Sequence, residues 1–221
     1  MRKRYSRTNR TEVSTPPFTD SLSLEELRRL AVLPREFYAR DPVTVARELL
    51  GCILCHETRE GPRAGRIVEA EAYLGLDDWA AHASRGVTPR TKPLFGPPGH
   101  VYVYLIYGMY ECLNLVAEPD GVPGCVLIRA LEPVTGLEAM HRARPKARRP
   151  EQLCAGPGRL TLAMDITRRH NRLDVTGGEL TVRQPPRARP EEIAVSPRIG
   201  VTHCADWPLR FYLAGNPSVS R

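Results

Sequence analysis

Residues 52–73 read CILCHETREGPRAGRIVEAEAY. Two apolar runs rich in strand-forming residues, Cys52–Glu57 and Gly65–Tyr73, flank a turn that carries Gly61-Pro62, and this is the pattern of an antiparallel hairpin. Upstream, Asp41-Pro42 supplies a helix cap and a first-turn proline, and Val45, Ala46, Leu49 and Leu50 make an apolar face before Gly51. A helix is therefore expected over 42–50. Downstream, 75–100 is dense in Gly, Pro, Arg and Thr and reads as a long functional loop. Strand-like runs follow at His100–Tyr107 and Cys125–Ala130, with 114–124 between them as a connection whose Glu-Pro-Asp-Gly is turn chemistry. Helices are expected from Gly136 to about Arg142 and after Gly156-Pro157-Gly158. Short strands are expected at 179–183, 193–195 and 209–213. Hairpins mixed with dispersed helices argue an α+β fold with a largely antiparallel sheet.

The 221 residues suit one domain, here 31–221, preceded by a basic tail over 1–30 within which Ser23 and Glu26 form a capping box for a short helix. Net charge is +7, with 32 basic against 25 acidic residues. That balance fits a phosphate-bearing partner without demanding one. Only Lys3, Lys92 and Lys146 are lysines, so 29 of the 32 are arginines. No apolar stretch approaches the ~20 residues that span a bilayer, so a soluble cytoplasmic protein, monomeric and without a membrane contact, is expected. The six cysteines read as reduced core thiols. Cys52-Ile-Leu-Cys55-His56 matches the Cys-x-x-Cys-His pattern of haem attachment, or half a zinc site. Nothing nearby completes either set, so a buried strand is the preferred reading and neither metal nor cofactor is expected.

Two stretches concentrate chemistry. Tyr102, Tyr104, Tyr107 and Tyr110 place four of the eight tyrosines in nine residues. On a strand Tyr102 and Tyr104 share a face, while Tyr107 has the other parity and stands before Gly108, where the chain can turn. These rings either fill a core or form a stacking surface for a planar ligand. In Arg66–Gly75, Glu69, Glu71 and Tyr73 share one parity. Two carboxylates in an apolar run are costly unless solvated on an edge strand, paired, or used as a general base. Arg129 closes the hydrophobic run Cys125–Ile128 and must find a partner or a cleft, and His82 sits in the long loop.

RIVEAEAYLG (66–75), AAH (80–82), GHVYVYLIYGMYECLN (99–114), CVLIRALEP (125–133), LCAGPGRL (153–160) and PLRFYLAG (208–215) together resemble the alkyladenine DNA glycosylase family, also called the 3-methyladenine DNA glycosylase family. The resemblance runs from about Leu33 onward and excludes the first 30 residues. It implies a single mixed domain around a curved antiparallel sheet, and double-stranded DNA with damaged purines as partner. By position, Glu71 matches the carboxylate that activates the attacking water. Arg129 and the main-chain carbonyl of Ile199 match the groups that hold this water. Tyr73 on one side, and His82 with Tyr104 on the other, match the residues that stack on the extruded base. Tyr107 matches the wedge that fills the gap in the duplex, and Asn114 matches the side chain that crowds the exocyclic amine of guanine. Glu69 has no catalytic counterpart.

The implied activity is excision of 3-methyladenine, 7-methylguanine, hypoxanthine or ethenoadenine, leaving an abasic site. Glycosylases that also nick the strand use an amine, and no lysine lies in the matched motifs, so no lyase activity is expected. The competing readings are a non-catalytic nucleic-acid-binding module that uses the tyrosines for stacking, and a haem or redox protein built on Cys52 and Cys55.

Overall fold

The computed structural model describes residues 22–185 and 191–220. Helices α1 (Leu24–Arg29), α2 (Arg35–Tyr38) and α3 (Pro42–Glu48) lead into strands β1 (Ile53–Thr58) and β2 (Gly61–Tyr73). After the long loop come β3 (Val101–Ile106), β4 (Tyr110–Val116) and β5 (Cys125–Thr135). Helices α4 (Leu137–Ala143) and α5 (Pro157–Ala163) follow, and then β6 (Leu180–Arg183), β7 (Ile193–Ser196) and β8 (Arg210–Leu213). The eight strands form one sheet in the order β3-β4-β5-β2-β1-β6, with β8 also on β2 and β7 on β8, and every pairing is antiparallel.

The 52–73 hairpin closes with Thr58 opposite Gly61. β2 is long enough to serve three neighbours. Its first half pairs with β1, residues 69–71 pair with β8, and nearly its whole length runs beside β5. Glu69 and Glu71 therefore stand in a central strand with no solvent exposure, which removes the edge-strand reading of these carboxylates. Register shifts at Gly65 and Glu69 mark bulges, which bend a strand and re-aim its side chains.

α3 forms as its cap predicts, with Asp41 accepting from the Thr44 amide at 2.9 Å and Pro42 in the first turn. It buries Val45 and Ala46 in the main apolar cluster with Ile67, Ala70, Ile128 and Leu160. Of the tail expected over 1–30, residues 1–21 lie outside the described part. Residues 23–30 carry α1, whose capping box joins Ser23 and Glu26, and Leu27 is buried beside Ile53 and Val134.

Two expectations are corrected. Tyr110–Val116 is a strand, so Asn114 lies in β4 and the connection begins only after it. Glu111 and Asn114 disguise this strand, because both residue types are depleted in sheets. β5 continues past Ala130 to Thr135, which makes Arg129 a mid-strand residue. Pro133 is accommodated opposite Gly65 at the register shift.

Gly75 ends the β2 motif at φ +92°, where a Cβ would lie 2.1 Å from the Pro123 carbonyl oxygen. Both the backbone conformation and the space demand glycine. Gly75→Ala is expected to lower stability by more than about 1–3 kcal/mol, read as a shift in urea-unfolding midpoint. An unchanged midpoint would contradict the close approach.

Candidate active site

A cavity of about 940 Å³ opens between the end of β2, the long loop, the β3–β4 hairpin, α5 and the 199–203 segment. Tyr73, His82, Tyr104, Asn114, Arg129 and Ile199 all line it, and Tyr107 stands at its rim. Residues separated by up to 126 positions thus meet at one place.

The aromatic part is built by β3 and the loop. Tyr102 and Tyr104 lie on one face of β3 with ring centroids 5.4 Å apart, and the His82 ring packs edge-on to Tyr104 at 4.5 Å. His82 Nδ1 and the Tyr102 hydroxyl are joined at 3.0 Å, so Tyr102 orients the imidazole. Burial, reinforced by Arg90 and Arg85, pushes the His82 pKa down to about 4. The ring is therefore neutral at pH 7 and does not repel a cationic ligand. At the hairpin tip Tyr107 (φ 53°) and Gly108 (φ 70°) both adopt left-handed conformations. That turn leaves Tyr107 79% exposed, an unusual position for a large aromatic ring.

The polar part is built by β2 and β5. Glu71 Oε1 accepts from the Ile199 amide at 2.8 Å and faces Arg129 Nη1 at 3.2 Å, and Glu71 Oε2 accepts from the Tyr73 hydroxyl at 3.0 Å. The contact made by Ile199 here is through its amide N–H. Glu71 is fully shielded and does not itself line the cavity, whereas its three partners Tyr73, Arg129 and Ile199 do. Burial pushes its carboxyl above the usual range, against the pull of Arg129, the Ile199 amide and the Tyr73 hydroxyl. A carboxylate raised in this way is a stronger base than a surface one.

Asn114 reaches the cavity from β4, with its amide donating to the Tyr102 carbonyl at 3.1 Å. This bond fixes the side chain's direction. Cationic side chains Arg85, Arg90, Arg144, Lys146 and Arg159 surround the mouth.

A family model described as methylpurine-DNA glycosylase matches residues 36–217. The chain belongs to the methylpurine-DNA glycosylase family. It is 51% identical over 196 residues to a protein of Methanocella arvoryzae, covering 87% of this chain and 97% of that one. A Methanoculleus marisnigri protein is 51% identical over 192 residues, covering 86% and 98%. One from Koribacter versatilis is 48% identical over 199 residues, covering 88% and 95%. All three bear the name "Putative 3-methyladenine DNA glycosylase". As a member of the family the chain is a DNA glycosylase, and DNA is its substrate.

Several residues that shape this glycosylase site were not singled out from the sequence. Asp78 and Arg198 form a buried two-point ion pair at 2.5 and 2.8 Å. Asp78 also accepts from the Leu74 and Ala80 amides, and Arg198 reaches the Ala72 carbonyl and lies 4.6 Å from the Tyr73 ring centroid. This pair ties the long loop to the segment that carries Ile199. Trp79, 72% exposed, lies on the cavity wall; an exposed tryptophan in a loop was the one signal available. Cys52 and Cys55 fall in two different apolar clusters. They do not converge on a shared ligand, which dissolves the haem reading.

Proposed function

We propose that this glycosylase extrudes damaged purines (3-methyladenine, 7-methylguanine, hypoxanthine and ethenoadenine) from duplex DNA into the cavity and hydrolyses the N-glycosidic bond with a water activated by Glu71. The observation that carries this reading is the pairing of a buried, base-strengthened carboxylate with three residues of an aromatic-lined cavity.

A base inside the duplex is out of reach, so extrusion must come first, at a cost of a few kcal/mol. Tyr107, exposed at the hairpin tip, inserts where the base was and restores stacking. The cationic rim holds phosphates, which makes affinity fall with salt and carry little sequence preference. The extruded base stacks between Tyr73 and the His82–Tyr104 pair. A methylated purine cation gains about 0.5–2 kcal/mol there by cation–π attraction, and alkylation also makes it a better leaving group. Neutral lesions rely on stacking and edge hydrogen bonds, and Asn114 excludes the guanine amine.

For the chemistry, the Tyr73 hydroxyl releases Glu71 Oε2 toward the cavity, where water is held by Arg129 and the Ile199 main chain. The water oxygen bonds to C1′, its proton passes to Glu71, and the glycosidic electron pair leaves with the base. Negative charge at Glu71 stabilises the oxocarbenium character that develops on the sugar.

The test is release of free base from duplexes that each carry one of the four lesions, followed on a denaturing gel. Base is expected to appear, with strands that break only after alkali. Among the described residues Lys146 is the one lysine on the cavity wall, so it is the residue to check for lyase chemistry. A borohydride-trapped covalent adduct that disappears in Lys146→Ala would refute the water mechanism, and duplex binding without release from any lesion would favour the stacking module.

A further inference from the structure

His56, the last residue of the Cys-x-x-Cys-His run, shares the strand face of Leu54, on the side of the apolar cluster that holds Cys52 and Met164. It lies on β1, fully buried, with Nδ1 2.7 Å from the Met164 carbonyl. A carbonyl can only accept, so Nδ1 carries the proton and Nε2 presents a lone pair. His170 is also fully buried, in the short 3-10 turn Arg168–His170, and its ring centroid lies 4.8 Å from that of His56 at an interplanar angle of 89°. Both Nε2 atoms are buried without a hydrogen-bond partner among the described residues. Two orphaned imidazole nitrogens side by side are costly and call for a ligand. The Glu179 carboxylate, half-exposed just before β6, lies 3.8 Å from His170 Nε2. One ligand atom from each of the three residues lies within 4.8 Å of the others.

We propose that His56, His170 and Glu179 form a binding site for a divalent late-transition-metal ion, Zn²⁺ in type. Two imidazoles and one carboxylate are borderline donors that suit such ions, whereas Mg²⁺ and Ca²⁺ take oxygen sets. Zinc bonds of about 2.0–2.2 Å bring tetrahedral ligand atoms about 3.4 Å apart, so the three must draw in modestly. Glu179 is the mobile member, because its side chain is 52% exposed. His56 donates to the Met164 carbonyl. His170 Nδ1 accepts from the Thr167 amide at 2.9 Å and lies 3.0 Å from the Thr167 carbonyl, so binding a metal through Nε2 requires the ring proton to move to Nδ1, where that carbonyl can accept it. The nearby Arg63 guanidinium is held by Glu60 and the Ala163 carbonyl.

None of the three residues lines the glycosylase cavity, so the ion fastens structure and takes no part in hydrolysis. It joins β1, the 168–170 turn and the start of β6. Asn171, next to His170, accepts from the Val103 amide in β3 at 3.1 Å, between the two tyrosines that meet His82. Occupancy therefore stiffens the strand that presents those rings.

The full chain, stripped with a chelator, is titrated with Zn²⁺ while bound metal and the thermal unfolding midpoint are measured, and Co²⁺ provides a spectrum. One equivalent of Zn²⁺ is expected to bind and raise the midpoint, and the Co²⁺ form should show d–d bands without a thiolate charge-transfer band. Glu179→Gln, a half-exposed change that leaves the core intact, should weaken binding about tenfold or more, and His170→Gln should abolish it. No Zn²⁺ uptake by the wild-type chain, a cobalt–thiolate band, or unchanged affinity in Glu179→Gln would each overturn the site.

Discussion

Glu71→Gln is expected to lose about 10²–10⁴-fold in base release, the usual worth of a positioned general base, while it still binds damaged duplex. The amide keeps the shape: its oxygen can still accept from the Ile199 N–H, which the carboxylate now receives at 2.8 Å, while its NH2 donates to the Tyr73 hydroxyl oxygen, which now donates to the carboxylate at 3.0 Å. Arg129 is not orphaned, because its Nε stays bonded to Glu69 at 2.8 Å. The fold should therefore survive. The pH dependence has a definite sign. Burial raises the Glu71 pKa, so the ionised base of the wild type is lost as pH falls through that raised value, and release should fade at the acid side. Stability moves oppositely: above the raised pKa the buried charge costs stability, and below it that cost is relieved. Glu71→Gln removes the charge and should unfold no earlier than wild type near pH 7. Single-turnover release and duplex binding, measured on the same preparations, decide the matter. Release at the wild-type rate would remove Glu71 from the role of base.

Glu69→Gln is expected to cost about 3–5 kcal/mol of stability, the penalty for breaking a buried ion pair from one side. Glu69 has no solvent exposure and accepts from Arg129 Nε at 2.8 Å, Arg210 Nε at 2.7 Å, the Ser220 amide at 2.7 Å and the Ser220 hydroxyl at 2.8 Å. Its charge balances two nearly buried guanidiniums and ties residue 220 to the cavity wall. The amide can keep one or two of these bonds but none of the charge. A second effect separates this from simple loosening. With Glu69 neutral, Arg129 turns its whole charge on Glu71, and the like-charge repulsion that helps raise Glu71 disappears. The acid limb of the pH–rate profile should therefore move to lower pH. Urea unfolding and a pH series on the folded fraction measure the two effects, and an unfolding free energy within about 1 kcal/mol of wild type would contradict the ion-pair role.

Much of the site was legible locally. The period-two run 66–73, the tyrosine-rich strand and the turn at Gly108 each need only neighbouring residues to be read, and the structure gathers Tyr73, His82, Tyr104, Asn114, Arg129 and Ile199 around one cavity. What local reading missed shares one cause. β4 was hidden by its polar residues, whose burial depends on pairing with β3 and β5. Glu69 could not be told from a solvated edge carboxylate until β8 paired beside it and brought Arg210 across.

The sequence by itself determined the antiparallel hairpin and the α+β class, because strand periodicity and turn chemistry are short-range properties, and its motifs named part of the cavity through their resemblance to a known family. Only the tertiary structure decided which charges and imidazoles meet. Asp78 with Arg198, Glu69 with Ser220 and His56 with His170 stand 120, 151 and 114 positions apart. Their encounters follow from sheet order and loop closure, and burial then turns each encounter into an obligation, since a lone charge or unpaired nitrogen inside the protein is too costly to keep.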